Sequence, residues 1–290
     1  MKIDLSKIDY FTEETSVEAV TSRTSSDTDE RLNTVWSTLI KHLHAFAREV
    51  DLQQGEWEAG IDFLTRTGQL CDENRQEFIL LSDIMGLSML TDAINNRELV
   101  GATESTVMGP FHVSGAPELP MGANISLDRK GESCLFEGRV VDQDNNPIEG
   151  AQLDVWCDNV DGYYDVQQPD IQPKWNNRGI FTTGADGVYS FRGVKPVSYP
   201  IPDDGPVGQL LKKLGRHPNR PAHMHYIVSA PGFKKLVTHT FVDDDQWLKS
   251  DAVFGVKASL VAHFEHTPDR DAQWYAPFDF IMVRTSSKRN

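Results

Sequence analysis

Positive charge is scarce in this chain. Against 43 aspartates and glutamates stand 28 lysines and arginines, a formal net charge of −15. A surface of that sign repels nucleic acid and anionic membranes, so neither is an expected partner. Cysteine is scarcer still: Cys71, Cys134 and Cys157 are the whole supply in 290 residues. They are too few and too scattered for a disulfide framework and read as buried thiols in a reducing cytoplasm. No run approaches the ~20 apolar residues that span a bilayer. Met1-Lys-Ile-Asp-Leu-Ser lacks the apolar core of a secretory signal. Repeats and low-complexity tracts are absent too. What remains is an ordinary globular composition, long enough to favour two structural units over one.

Those units differ in hydrophobic period. Leu32, Val35, Trp36, Leu39, Ile40, Leu43, Phe46, Ala47 and Val50 follow steps of three and four, one face of a helix, with Ser25, Ser26 and Asp27 as candidate caps. A second helix fits Glu56 to Leu70 and a third fits Glu73 to Asn95. The third is apolar nearly all round and is expected to lie between other elements. After Gly101, glycine and proline punctuate short runs of β-formers. Cys134–Val141, Ala151–Cys157, Met224–Ser229, Leu236–Val242 and Phe278–Val283 read as strands, Ala185–Val194 as a turn and strand, and Val207–Leu214 as a short helix. The expected fold is α+β: a helical N-terminal domain over residues 1–105, then an all-β sandwich over 106–290.

The chemistry concentrates in Arg220-Pro-Ala-His223-Met-His225. Histidines at i and i+2 on a strand share one face. Burying two imidazoles costs free energy unless they are paired or ligated, so one metal between them is the economical reading. Tyr199 sits between Pro196 and Pro200, and Tyr164 lies two residues after Gly162. If both phenols join the histidines, the donor set is hard and anionic, which suits a ferric ion better than zinc. The remaining histidines lack ligand spacing. Two other readings stay open: a zinc hydrolase using His223, His225 and a carboxylate such as Asp203, and a transthyretin-like sandwich that binds small aromatic ligands without catalysis.

Gly162-Tyr-Tyr164, Tyr199-Pro-Ile-Pro-Asp-Asp-Gly-Pro-Val-Gly208 and Arg220-Pro-Ala-His-Met-His225 resemble the motifs of the intradiol ring-cleavage dioxygenases. The likeness covers nearly the whole chain, including Thr103-Glu-Ser-Thr-Val-Met-Gly-Pro-Phe111. It is closest to the branch acting on hydroxyquinol (benzene-1,2,4-triol), with catechol or chlorocatechol cleavage as the alternative. The resemblance implies one non-haem Fe(III) per subunit, held by Tyr164, Tyr199, His223 and His225 with a water or hydroxide. It makes Tyr199 also a base and Arg220 the charged residue beside the ring. His239 stands where the catechol branch has glutamine. Leu80, Asp83, Val107, Gly109, Ile201 and Val253 are placed around the substrate. Asp83 is a candidate partner for the third ring hydroxyl, against the alternative of an exposed helix aspartate. Met108 replaces an expected phenylalanine. The resemblance also implies a cytoplasmic homodimer formed through the helical domain, with a phospholipid in an apolar tunnel there. The product would be 3-hydroxy-cis,cis-muconate, which tautomerises to maleylacetate.

Overall fold

The computed structural model describes residues 10–72, 75–97, 100–267 and 271–285. The chain forms two compact units, Met1–Arg66 and Thr67–Asn290. The last of the N-terminal helices ends at Asn96 and the first strand begins at Ser133, whereas the compact units part earlier. The helices between Glu77 and Asn96 bury Leu80, Leu81, Ile84 and Met89 within the second unit.

In the first unit, α1 (Ser16–Thr21) packs against α2 (Glu30–Glu49), and α3 (Gln54–Gln69) runs on into the second unit. The α2 stripe lies where its period predicts. Its cap is Asp29, not Ser25, Ser26 or Asp27: the Asp29 carboxylate accepts from the Leu32 N–H at 2.9 Å. Arg48 anchors α1 by donating to the Glu13 carbonyl and the Ser16 hydroxyl, each at 3.1 Å.

The expected third helix is two helices, α4 (Glu77–Ile84) and α5 (Leu87–Asn96). Gly86 breaks the run with φ +73°, a left-handed turn that glycine takes without steric cost. Glu73 and Asn74, at its expected start, lie outside the described residues. Nor is the segment covered all round: Phe78, Ile79, Met85, Leu87, Leu90 and Ile94 are exposed.

The rest of the second unit is a sandwich. One sheet is built on β1 (Ser133–Asp142), with β2 (Gln152–Trp156) and β3 (Arg178–Thr182) belonging to the other, and β4 (Val188–Val194) pairing antiparallel to β1. A two-stranded ribbon, β5 (Tyr199–Pro200) and β6 (Asn219–Arg220), brackets α6 (Pro206–Lys213). The second sheet runs β3-β2-β7-β8-β9, with β7 (His223–Ser229) central, β8 (Leu236–Val242) beside it and β9 (Val261–Ala262) at the edge. The first sheet is completed by β10 (Glu265–His266), β11 (Trp274–Pro277) and β12 (Phe280–Met282), the last two lying parallel along one edge of β1.

The core fills the gap between the sheets. Phe136, Val140, Tyr189, Phe191 and Phe280 come from one side, and Leu153, Val155, Phe181, Met224, Tyr226 and Val228 from the other. Strand β7 is buried over His223–Val228, yet its faces differ. Met224, Tyr226 and Val228 enter the core, whereas Ile227 packs outside it with Trp156, Tyr164 and Tyr199. The period-2 rule therefore sends His223 and His225 to the outer face of the second sheet.

Candidate metal centre

Four side chains meet on that outer face. The Tyr164 hydroxyl lies 2.8 Å from His225 Nε2 and 3.2 Å from the Tyr199 hydroxyl, and the two histidine Nε2 atoms are 3.1 Å apart. Tyr164, His223 and His225 are almost wholly buried, and Tyr199 is 5% exposed. The histidines come from β7. Tyr164 comes from the loop leaving β2, and Tyr199 from the ribbon paired with Arg220. The Tyr164 loop turns at Gly162, with φ +78°, where an added Cβ would stand 2.8 Å from the Tyr199 Cβ. Glycine there lets one tyrosine loop lie on the other.

Both imidazoles are neutral. Burial holds His223 down to about 3, with the Arg220 charge second. Burial also depresses His225 well below the usual range, followed by His239 and His223. The His223 Nδ1–H donates to the Pro221 carbonyl at 2.6 Å, which leaves its Nε2 with a lone pair facing the other donors. His225 Nδ1 has no hydrogen-bond partner among the described residues.

The phenols differ. Burial raises Tyr164 well above the ordinary phenol range, and Tyr199 adds to the rise. Burial raises Tyr199 too, but the nearby Arg220 charge pulls it back. The Arg220 charge opposes that rise at both phenols, and it ranks first among the opposing influences on Tyr199.

Arg220 is itself pinned. Its guanidinium donates to both Asp251 oxygens, at 3.1 and 3.3 Å, and NH1 lies 3.4 Å from His223 Nε2. Burial works against its charge; Asp251 and the phenols outweigh burial and raise its proton affinity. Asp251 is correspondingly held below the usual carboxylate range, because Arg220 overcomes the cost of burial. The backbone N–H groups of Val253 and Gly255 complete its shell at 3.2 and 2.9 Å.

His239 faces His225 across the β7–β8 pair, with ring centroids 4.1 Å apart, and lies 4.6 Å from His223. The nitrogens of these three histidines fall within 4.8 Å of one another. Bonds of about 2 Å at roughly tetrahedral angles put neighbouring donors about 3 Å apart. Tyr164, Tyr199, His223 and His225 meet that spacing, so the residues fit a metal, and the three-histidine set is looser.

Of the expected pocket residues, Gly109 and Val107 lie beside the histidines. A Cβ at Gly109 would stand 3.2 Å from the His225 ring. The Val107 backbone faces His239. Leu80, Ile201 and Val253 are buried. Asp83 is 5% exposed, which rules out the exposed alternative. Burial raises its proton affinity, partly offset by Ser88 and Arg220. Asp203, the carboxylate a zinc hydrolase needs, instead pairs with Lys212 at 2.9 Å on the surface.

Several contributors were not among the expected site residues. Asp251 joins Arg220 from 31 positions away. Trp156 stacks on His225 at 4.6 Å and Phe111 on Tyr164 at 4.7 Å. Arg178 pairs with Asp165, the residue after Tyr164, at 2.7 Å.

The chain belongs to the dioxygenase family: residues 108–283 match the family described as Dioxygenase, and its buried Tyr–Tyr–His–His cluster lies within that stretch. Residues 29–103 match the family described as Catechol dioxygenase N terminus. The chain is 54% identical over 285 residues to a hydroxyquinol 1,2-dioxygenase of Rhizobium sp. (strain MTP-10005), covering 95% of this chain and 97% of that one. It is 48% identical to a 6-chlorohydroxyquinol 1,2-dioxygenase of Cupriavidus pinatubonensis, over 92% and 96% of the two chains. The crystal structure of hydroxyquinol 1,2-dioxygenase from Pseudomonas putida DLL-E4 superposes with a TM-score of 0.89 at 44% identity, over 94% of this chain and 99% of that one.

Proposed function

We propose that this protein cleaves hydroxyquinol with dioxygen between its two adjacent hydroxylated carbons, giving 3-hydroxy-cis,cis-muconate and thence maleylacetate. The carrying observation is the convergence of Tyr164, Tyr199, His223 and His225 within 2.8–3.2 Å links. Both oxygen atoms enter the product, so substrate and dioxygen balance without a further reductant.

Ferric ion is the metal of this reading. Two buried phenols whose protons are held tightly need a strongly acidic cation to ionise them, and phenolate favours the ferric state. Bound there, iron would supply the route by which triplet dioxygen reacts with a closed-shell ring.

The protein's own groups do the rest. The Tyr199 Oη accepts a proton from one substrate hydroxyl, with Arg220 stabilising its anionic form. Arg220, fixed by Asp251, faces negative charge that develops on the ring, a contribution of about 3–4 kcal/mol. His239 lines the imidazole face behind the ligands. Asp83 accepts from the third hydroxyl of a triol. Leu80, Val107, Gly109, Ile201 and Val253 exclude water around the ring. The buried position of Asp83 is what favours hydroxyquinol over catechol as the substrate.

Tests follow directly. Purified protein should contain iron, be reddish from phenolate charge transfer, and consume dioxygen one-to-one with hydroxyquinol. Tyr164→Phe should lose colour and metal. Tyr199→Phe should keep some metal and turn over slowly. A colourless, iron-free and fully active protein would refute the proposal. A homodimer through the apolar face of α2, with a phospholipid against it, and a cytoplasmic location complete the reading; the free thiols of Cys71, Cys134 and Cys157 support the last.

A further inference from the structure

Helix α4 carries Leu80 and Asp83 on its buried side, and α6 and its flanks grip it at both ends. At the start of α4 the fully buried Glu77 carboxylate accepts from the Val207 N–H in the first turn of α6, at 3.2 Å. Arg75 pairs with Glu77 at 2.9 Å and reaches across to Asp204 at 2.8 Å. The fit is close: a Cβ on Gly205 would stand 2.3 Å from the Glu77 oxygen.

At the other end, Arg216 donates to the Ile84 carbonyl, the last of α4, at 2.6 Å. Its second nitrogen donates to the Ala252 carbonyl at 2.9 Å, within the segment that carries Asp251 and Val253. The guanidinium lies 5.0 Å from the Phe254 ring centroid. That ring in turn covers Gly86, where an added Cβ would meet it at 3.5 Å. Phe254 has φ +59°, a left-handed conformation that bulky residues avoid and that the surrounding contacts must hold.

The helix that grips α4 leads straight into the centre on both sides. Tyr199 lies just before α6, and Arg220 and His223 just after it. We propose that Glu77 and Arg216 are positioning residues that fix Asp83 at its working distance from the metal centre and thereby set the preference for a triol over a diol. This rests on the hydroxyquinol reading above. A site built to pair one hydroxyl loses discrimination when its acceptor drifts, because misplacement by an ångström is enough to forfeit the bond. Arg216 joins two backbone carbonyls from separate segments, a task for a forked donor.

The experiment compares iron-loaded wild type with R216M, R216K and E77Q. Rates with hydroxyquinol and with catechol are measured alongside iron content, colour and hydrogen exchange of the α4 amides. In R216M the ratio of kcat/KM for hydroxyquinol to that for catechol should fall about tenfold, mainly through a higher KM for hydroxyquinol. Iron and colour should hold, and the α4 amides should exchange faster. R216K keeps the charge but not the fork, so it should resemble R216M. E77Q should shift the ratio the same way from the opposite end, and it decides the matter if R216M does not fold. An unchanged ratio in folded variants, or full rescue by lysine, overturns the inference. A wild type that does not cleave hydroxyquinol sinks the parent reading; a wild type that does, with variants of unmoved ratio, sinks this one alone.

Discussion

His223, His225 and His239 are buried neutral imidazoles, each held below the ordinary histidine value of 6.5 chiefly by burial. The unfolded chain therefore binds more protons than the folded one below that value. Stability contributed by these groups is complete above about pH 6.5 and is lost as pH falls towards the folded values, about 3 for His223. His239→Gln should remove one such group. In metal-free protein the decline of Tm below pH 6.5 should be shallower than in wild type, and calorimetry across that range checks it. Gly162→Ala acts differently: it forces a side chain against Tyr199 at a left-handed φ. A cost of about 1–3 kcal/mol and weakened iron retention are expected, read by denaturant titration and metal analysis.

The same scale shows what the sequence discloses. The period of β7 puts His223 and His225 on one face, whereas Tyr164, Tyr199 and Arg220 stand in short motifs that the family resemblance picks out. Asp251 and Trp156 reach that face from distant segments, and nothing in their own neighbourhoods signals it.

At the scale of elements, strands with a clear alternation were legible. Leu236–Val242 was expected to the residue, and β1 and β7 nearly so. The two-residue strands β5, β6, β9 and β10 were not, because partners remote in sequence define them. Strand β3 was hidden by its approach: Trp175 and Asn177 both take positive φ just before it. The break at Gly86 was hidden inside an apolar pattern that continues across it. Two predictions belong here. Asp29→Ala removes the α2 cap and should cost about 1 kcal/mol, seen as a lower denaturant midpoint. Arg178→Met leaves Asp165 buried and unpaired beside Tyr164. The penalty should be about 3–5 kcal/mol, with loss of colour at temperatures where wild type keeps it.

Over the whole molecule, α2 leaves Leu32, Val35, Trp36, Leu39, Leu43 and Phe46 exposed along one stripe. A stripe of that kind marks an interaction face, and the proposed homodimer would cover it. Leu39→Glu should then yield a monomer by sedimentation, while iron content stays at the wild-type level. An unchanged sedimentation coefficient would reassign the face. Compactness, unlike texture, was not readable along the chain. The change from helix to strand is plain in glycine and proline, but which helices bury themselves with the sandwich depends on residues such as Leu81 and Ile84 meeting partners far away.

Strand β7 has one consequence for how such a protein can change over time. Met224, Tyr226 and Val228 answer to the hydrophobic interior, and His223 and His225 to the proposed metal centre. Because neighbours on the strand serve different masters, a lineage can retune reactivity at every other position and leave the foundations untouched. Substitutions on the two sides should fall into separate phenotypes, folded but inert on one and unfolded on the other.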